Sequence, residues 1–165
     1  MKTAICPGSF DPVTNGHVDI IRRAASIFDK VTVVVMPNFS KTEAVFSKEE
    51  RACFLNIALR DIKNVEIDFF DGLLAEYAAM KNIPIVVKGL RAMSDFEYEF
   101  QMSLTNQTLN PDLETVFLTT SSKNMYLSSS LVKQVAFWGG DISAFVPESI
   151  ASEILKRFNK EGKNP

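Results

Sequence analysis

Two kinds of segment alternate along the chain. Five short runs are almost continuously apolar and rich in β-branched residues, which is typical of strands that are buried on both faces of a parallel sheet. These predicted strands cover residues 3–6, 31–35, 65–70, 84–88 and 114–119. Between them, apolar residues recur at spacings of three and four, which predicts helices with one buried face. Two such sets run from Val18 to Phe28 and from Ala52 to Ile62.

Further helices are predicted at residues 73–81, 95–109, 129–138 and 148–160. Two helix starts carry the spacing of a capping box, Ser47 with Glu50 and Ser94 with Glu97. Strands that alternate with helices in this way predict an α/β fold with a doubly wound sheet of five parallel strands. We expect a single domain over residues 1–165, with a frayed tail at 159–165, and ligands beyond the carboxyl ends of the strands.

Composition narrows the classes of function. The chain has 165 residues, of which 46% are hydrophobic and 23% charged, as in ordinary globular proteins. No apolar run approaches the roughly 20 residues that cross a bilayer, and the first residues do not match a secretory signal. We therefore expect a cytoplasmic protein with no membrane partner. A net charge of −2 disfavours general binding of nucleic acid, so an anionic ligand requires local cations.

The two cysteines and the one histidine limit the metal chemistry. Cys6 and Cys53 lie far apart in sequence, and both fall within hydrophobic patterns. We expect two buried free thiols, with a disulfide as the alternative. One histidine and two scattered cysteines disfavour a zinc site. A hard ion held by carboxylate and phosphate oxygens stays compatible with the sequence.

The stretch CPGSFDPVTNGHVDI, at residues 6–20, follows the first predicted strand and contains the histidine. Gly8 favours a sharp turn after the strand, Ser9 supplies a hydroxyl, and His17 falls in the first turn of a helix. The N–H groups and the positive dipole end of a helix suit a phosphate. An imidazole there can donate a hydrogen bond to a phosphoryl oxygen as charge develops. The alternative is that His17 only caps or packs the helix.

The stretch KGLRAMSDFEYEF, at residues 88–100, follows the fourth predicted strand. Gly89 allows the backbone to approach a ligand closely, between the cations Lys88 and Arg91. The guanidinium of Arg91 can hold two phosphate oxygens at once, whereas the ammonium of Lys88 acts as a point charge. Glu99 has no evident structural partner in the sequence, and a solvated helix face is the alternative for it.

Two further loops carry candidate phosphate contacts. TTSSKNMYLSSSLVKQV, at residues 119–135, is rich in hydroxyl groups, and Ser128 to Ser130 directly precede an amphipathic helix. One serine would suffice as an N-cap, so three hydroxyls beside free helix N–H groups indicate a second phosphate site. After the second strand, Lys41 lies in a loop of about ten residues. A solvated lysine is the alternative there.

The chain lacks the GxxxxGK[ST] and GxGxxG fingerprints. Its loops instead resemble the nucleotidyltransferase superfamily whose mark is T/HxGH, here Thr14-Asn15-Gly16-His17. The blocks PGSFDPVTNGHVDI, GLRAMSDFEYEFQ and LSSSLVKQVA together resemble the bacterial phosphopantetheine adenylyltransferase family, and the pattern runs from residue 3 to about residue 150. The resemblance implies a Rossmann-like sheet and adenylyl transfer from ATP to 4′-phosphopantetheine, which gives dephospho-coenzyme A and pyrophosphate. It also implies Mg²⁺ as cofactor, a homohexamer, and feedback inhibition by coenzyme A.

The resemblance further implies roles for individual residues. His17 is expected to contact ATP and to stabilise the transition state of an in-line attack, and Ser9 is expected to touch both substrates. Further ATP contacts are implied for Phe10, Gly89, Leu90, Arg91, Glu99, Asn124, Met125, Tyr126, Leu127, Ser128, Ser129 and Ser130. Contacts with 4′-phosphopantetheine are implied for Lys41, for Leu73 or Leu74, and for Lys88.

One departure from the family pattern concerns the substrate phosphate. Position 88 is usually arginine in this family, and arginine can bind the substrate phosphate through two N–H groups at once. Lys88 offers a point charge instead. Ser9, where many members have threonine, keeps the hydroxyl. Two alternatives for the function stay open. The first is another adenylyl- or cytidylyltransferase of the same superfamily, which a panel of acceptors distinguishes. The second is a nucleotide-binding regulatory protein without turnover, which an assay for pyrophosphate release distinguishes.

Overall fold

The computed structural model describes residues 1–37, 44–91 and 93–161, with the backbone alone described at residues 93, 94, 160 and 161. Within these ranges the strands are β1 (Thr3–Gly8), β2 (Lys30–Val35), β3 (Val65–Phe69), β4 (Ile85–Leu90) and β5 (Glu114–Thr119). The α-helices are α1 (Asn15–Ile27), α2 (Lys48–Ala58), α3 (Leu74–Lys81), α4 (Met93–Leu109), α5 (Ser129–Phe137) and α6 (Glu148–Glu161). A short 3₁₀ turn covers Ser122–Asn124.

The five strands form one parallel sheet in the order β3-β2-β1-β4-β5. The chain builds outward from β1 to β3 and then crosses to the other side of β1 for β4 and β5. The order therefore reverses between β1 and β4, and a crevice opens beyond the carboxyl ends of these two strands. The predicted fold class, a Rossmann-like doubly wound α/β sheet, is confirmed.

Successive residues of β1 contribute to different cores because side chains alternate across a strand. Ala4 and Cys6 belong to the larger core, into which α1, α2, α5 and α6 pack. Ile5 belongs to a smaller core, which Tyr77 of α3 helps to fill. Val34 of β2 and other strand residues are fully buried, as the continuous apolar runs predicted.

Several boundaries and faces differ from the sequence-based expectation. β1 continues through Gly8 and β4 through Leu90, so residues predicted to lie in loops extend the strands instead. α1 buries a wider face than predicted, because Ile20 and Ala24 join the periodic set from Val18 to Phe28 at the core. The expectation that both thiols are buried is wrong for Cys53, which is exposed on the outer side of α2.

The helix boundaries agree closely with the predicted ones. Ser47 and Glu50 form the expected capping box at the start of α2. α4 begins at Met93, one residue before Ser94, whose side chain lies outside what is described. α6 continues to Glu161, and residues 162–165 lie outside the described ranges. Across the described part of the chain, no helix is both long enough and apolar enough to cross a membrane.

The loop after β1 is held by a buried carboxylate. Asp11 accepts backbone N–H bonds from Phe46 at 2.9 Å and from Val45 at 3.2 Å. The ammonium of Lys133 lies 2.7 Å from the same carboxylate, and the Asp11 side chain is only 6% exposed. A single side chain therefore joins this loop to the segment before α2 and to α5. All three partners are donors, so both oxygens of the buried carboxylate have hydrogen-bond partners.

Two further bonds fix the backbone of the same loop. The buried guanidinium of Arg51 in α2 donates to the carbonyl oxygen of Ser9 at 2.8 Å and to that of Ser47 at 3.3 Å. The buried hydroxyl of Ser129 donates to the carbonyl oxygen of Pro12 at 2.8 Å. The bonds from Arg51 and Ser129 thus give donors to the Ser9 and Pro12 carbonyl groups of the loop. The position of Ser9 beside the crevice follows from them.

We expect Asp11→Ala to lower the free energy of unfolding by about 3–5 kcal/mol, because it leaves a partly buried ammonium and two backbone N–H groups without their acceptor. Equilibrium unfolding in urea measures this change. The matched control is Glu153→Ala, which breaks the exposed pair between Glu153 and Lys156 and is expected to change the stability by about 1 kcal/mol or less. An Asp11→Ala protein no less stable than this control would contradict the role of the carboxylate.

Candidate active site

A cavity of about 380 Å³ opens at the crevice between the carboxyl ends of β1 and β4. Its size is that of a small-molecule site. It is lined by the ends of these strands, by the loop after β1, and by the first turns of α1, α4 and α5. The predicted site residues that line it are Ser9, Phe10, His17, Lys88, Gly89, Arg91, Glu99, Leu127, Ser128 and Ser129. The parallel sheet therefore brings together three of the four loops that the sequence singled out.

Two helices begin at this cavity. Thr14 and His17 from the start of α1 line it, and so do Ser128 and Ser129 from the start of α5. The first turn of a helix has backbone N–H groups without intrahelical partners and the positive end of the helix dipole. Two such ends at one cavity favour an anionic ligand such as a phosphate group.

The imidazole of His17 is fixed by Thr14, the residue that caps α1. The backbone N–H of Thr14 donates to Nδ1 of His17 at 3.0 Å, and Oγ1 of Thr14 lies 3.1 Å from the same nitrogen. A backbone N–H can only donate, so Nδ1 must present its lone pair, and the neutral ring then carries its proton on Nε2. His17 is thus both a capping residue and part of the cavity wall, with a donor at Nε2.

Two positions at the cavity require glycine, because a Cβ there would lie too close to a neighbouring side chain. A Cβ on Gly8 would lie 2.8 Å from Cζ of Phe10, whose ring also meets the ring of His17 edge-on at 5.2 Å. The expected turn at Gly8 is wrong, because the left-handed residue is Phe10, with φ of 47°. A Cβ on Gly89 would lie 2.8 Å from Cγ1 of Ile20, so close packing of β4 against α1 suffices to explain Gly89.

Lys88 of β4 forms an ion pair with Glu99 of α4. Nζ of Lys88 lies 3.1 Å from Oε2 of Glu99, and the two side chains are 23% and 21% exposed. The two groups attract electrostatically but are not aligned as a hydrogen bond, so this buried oxygen has no hydrogen-bond partner within the described part of the chain. Glu99 therefore does not lie on a solvated helix face. It stands in the cavity wall, beside a cation that is proposed to meet a phosphate.

Arg91 is held by two acceptors. Its Nε donates to Oδ2 of Asp95 at 2.9 Å and its Nη2 donates to Oδ1 of Asp95 at 3.2 Å. Nη1 donates to the carbonyl oxygen of Leu127 at 2.6 Å. The sequence predicted that the guanidinium of Arg91 binds a phosphate. One edge of this group, Nε and Nη2, is occupied by the carboxylate of Asp95.

The three serines at the start of α5 have different surroundings. Ser128 is the N-cap, and its Oγ accepts the N–H of Leu131 at 3.1 Å. The hydroxyl of Ser129 is used in the bond to the Pro12 carbonyl described above. Ser130 is exposed and does not line the cavity. Two of the three serines, Ser128 and Ser129, therefore have a structural use, where one was expected, and both remain at the cavity wall.

Some predicted contact residues lie outside the lining of this cavity. Leu73 is 51% exposed beyond the end of β3, and Leu74 packs against the smaller core. Asn124 is buried and donates to Oγ of Ser121 at 3.0 Å. Lys41 lies outside the described residues. The other predicted contact residues that do not line the cavity are Leu90, Met125, Tyr126 and Ser130. Their contacts with substrates stay predictions.

Several residues that line or support the cavity were not predicted from the sequence. Asp95 was missed although it follows Arg91 by four positions, a spacing typical of ion pairs in helices. Arg51 left no signal, because its partners are the backbone carbonyl groups of Ser9 and Ser47, and such acceptors leave no mark on residue type. Cys6 lines the cavity, and burial raises the pKa of its thiol to about 12, although the Lys88 ammonium opposes that shift. The thiol is therefore protonated at neutral pH and a poor nucleophile.

Known proteins resemble the chain over nearly its whole length. The sequence model of the cytidylyltransferase-like family matches residues 5–135. Phosphopantetheine adenylyltransferase of Caldanaerobacter subterraneus subsp. tengcongensis is 55% identical over 160 residues, which is 97% of this chain and 99% of that protein. The protein of that name from Clostridium tetani is 51% identical over 98% of this chain and 100% of its own length.

A solved structure supports the fold independently. A candidate nicotinate-nucleotide adenylyltransferase from Vibrio parahaemolyticus superimposes with a TM-score of 0.66, over 95% of this chain and 96% of that chain, at 19% identity. At that identity the likeness concerns the fold alone. The identities above 50% over full length, together with the match of the family model, show that the chain belongs to the cytidylyltransferase-like family and, within it, to the phosphopantetheine adenylyltransferases.

Proposed function

We propose that this enzyme transfers the adenylyl group of ATP to 4′-phosphopantetheine in the cavity between β1 and β4, giving dephospho-coenzyme A and pyrophosphate. The observation that carries the proposal is the cavity itself, where two helix N-termini meet and the ring of His17 is fixed with its donor at Nε2. The names of the full-length relatives support the choice of substrates.

The reaction requires no nucleophile from the protein. The phosphate of 4′-phosphopantetheine is ionised at neutral pH, and one of its oxygens attacks the α-phosphorus of ATP in line. The bond from that phosphorus to the oxygen bridging to the β-phosphate breaks, and pyrophosphate leaves with the electron pair. Catalysis then consists of positioning and electrostatic stabilisation. These are the tasks that helix N-termini, fixed donors and local cations can perform.

His17 is the residue proposed to act on the transition state. Its Nε2–H donates to an oxygen of the α-phosphoryl group, where negative charge is redistributed as the bonds exchange. The bond at Nδ1 keeps the ring from rotating, so that the donor needs no reorganisation during the reaction. The remaining ATP contacts are proposed for Ser9, Phe10, Gly89, Leu90, Arg91, Glu99 and residues 124–130.

Lys88 is proposed to bind the phosphate of 4′-phosphopantetheine. Its ammonium lines the cavity and is paired with Glu99, so the incoming phosphate has to compete with a carboxylate for the same cation. Lys41 and one of Leu73 and Leu74 are proposed to complete this subsite. A point charge can change partners without the strict geometry that an arginine fork requires.

Mg²⁺ is proposed to enter the site bound to ATP. Among the described residues, no group of three or more His, Cys, Asp or Glu side chains is placed to hold a metal ion. Mg²⁺ suits such a site, because it is commonly held by substrate phosphates, by water and by one or two carboxylates. Of the described cavity residues, Asp95 and Glu99 carry carboxylates. When bound, the ion neutralises phosphate charge.

The family resemblance supports three further proposals. Coenzyme A contains the 4′-phosphopantetheine arm, so it is proposed as a feedback inhibitor that competes for the same cavity. A homohexamer is proposed, and exposed apolar residues on α4 at a spacing of four, Phe96, Phe100 and Leu104, support self-association. A cytoplasmic location, with no membrane or nucleic-acid partner, is proposed from the charge and composition.

The direct test is incubation with ATP, Mg²⁺ and a panel of phosphorylated acceptors that includes 4′-phosphopantetheine and nicotinate mononucleotide. We expect dephospho-coenzyme A as the product by mass spectrometry, together with one pyrophosphate for each molecule formed. Transfer to another acceptor would identify a different transferase. ATP binding without release of pyrophosphate would identify a regulatory protein instead.

His17→Ala is expected to lower kcat by about 100-fold or more, which is the scale for loss of one transition-state donor. The Kd for ATP should change much less, because the interaction develops mainly in the transition state. Steady-state kinetics and calorimetry separate the two effects. Since His17 also caps α1, thermal unfolding is measured in parallel, and a loss of about 1 kcal/mol is expected from the cap. A near-normal kcat would rule out this role.

Lys88→Ala is expected to raise the KM for 4′-phosphopantetheine by about tenfold or more, equivalent to roughly 1.4 kcal/mol of binding. The KM for ATP should change little, and pantetheine without the phosphate should be used equally poorly by mutant and parent. Lys88→Arg should keep most activity, because arginine can bind the same phosphate. The matched control is Lys63→Ala, at an exposed lysine outside the cavity lining. An unchanged KM in Lys88→Ala would assign the phosphate to another cation, with Lys41 as the first candidate.

A further inference from the structure

The hydrogen bonds of Arg91 leave it with a defined number of donors. A guanidinium carries five N–H groups. Asp95 accepts two of them, from Nε and Nη2, and the carbonyl oxygen of Leu127 accepts one from Nη1. With respect to the described residues, two N–H groups remain for a ligand, one on each terminal nitrogen. Because three bonds hold the plane of the guanidinium, these two donors point in fixed directions.

Asp95 is itself held in place by the helix that carries it. It lies in the first turn of α4, where the helix dipole favours a negative charge. Its side chain is 27% exposed and that of Arg91 is 36% exposed, so the pair is only partly screened by water. Asp95 lines the cavity beside its partner. The carboxylate is therefore a rigid support for the guanidinium.

The same carboxylate also lowers the attraction of Arg91 for anions. Among the described residues that line the cavity, the charges of Lys88 and Arg91 are matched by those of Glu99 and Asp95. Asp95 and Glu99 are four positions apart, so they stand on the same face of α4. A bound phosphate therefore meets an oriented guanidinium whose charge is already balanced, and not an isolated cation.

We propose that Asp95 is a positioning residue for adenylyl transfer, which orients Arg91 toward the phosphates of ATP and keeps its affinity for pyrophosphate low. The inference rests on the proposed contact of Arg91 with ATP. Orientation favours the transition state, whereas a bare cation would bind substrate and product phosphates just as well in the ground state. Asp95 thus raises kcat by orienting the guanidinium, and it keeps the affinity of the site for free pyrophosphate low by balancing the charge.

The proposal predicts opposite changes in two measured quantities for Asp95→Asn. The kcat should fall by about tenfold or more, because the amide can accept only one of the two N–H bonds and turns an NH2 donor toward the guanidinium. Pyrophosphate should bind about threefold more tightly or better, because the opposing charge is removed next to Arg91. Asp95→Glu keeps the charge and should retain the affinity of the parent for pyrophosphate. The control is Asp61→Asn, which changes a carboxylate in an exposed pair with Arg22 and should change neither quantity.

A double-mutant cycle with Arg91→Met tests whether Asp95 acts through Arg91. Enzyme kinetics give kcat, and calorimetry with inorganic pyrophosphate gives Kd. In the Arg91→Met background, Asp95→Asn should change neither quantity further. A purely structural role for Asp95 predicts weaker pyrophosphate binding, or effects that multiply with those of Arg91→Met, and either result would overturn the proposal. If Arg91→Met alone has normal kcat and normal Kd, the contact of Arg91 with ATP is wrong, and that failure is distinct from a failed cycle.

Discussion

The hydrogen bond from the Thr14 backbone to Nδ1 of His17 is the constraint on which the site depends. It closes the first turn of α1 and decides which ring nitrogen carries the proton. The loop that leads to it is fixed in turn by Asp11, Arg51 and Ser129. The polar contacts beneath the loop therefore act on the chemistry indirectly, since they hold the backbone from which the imidazole is placed.

Among the described residues that line the cavity, charge is balanced rather than positive. Lys88 and Arg91 are each paired with a carboxylate of α4, and the chain as a whole carries a net charge of −2. The N-termini of α1 and α5 supply positive potential without a mobile cation. Such a site can hold phosphates without binding them so tightly in the ground state that the barrier to reaction rises. This balance fits an enzyme that has to release pyrophosphate.

The fold could be predicted from the sequence because its central strands, β1, β2 and β4, are largely buried on both faces and its helices on one. Those burial patterns appear directly as continuous and periodic apolar runs. The place of the site could be predicted as well, because parallel strands bring the loops at their carboxyl ends together. The contacts of Arg51 and Ser129 could not be predicted, because their acceptors are backbone carbonyl groups, which every residue type carries. The exposure of Cys53 was also missed, since an apolar residue at the edge of a helix face resembles one within it.

The proton on the ring of His17 can be observed directly, because the chain contains one histidine. Labelling with ¹⁵N-histidine gives one pair of ring nitrogen signals, which report the tautomer without mutation and without assignment of other residues. At a pH where the ring is neutral, we expect Nε2 to carry the proton and Nδ1 to appear unprotonated, since Nδ1 accepts the Thr14 N–H. A neutral ring protonated on Nδ1 would contradict the hydrogen bond and remove the donor from the face on which the mechanism depends.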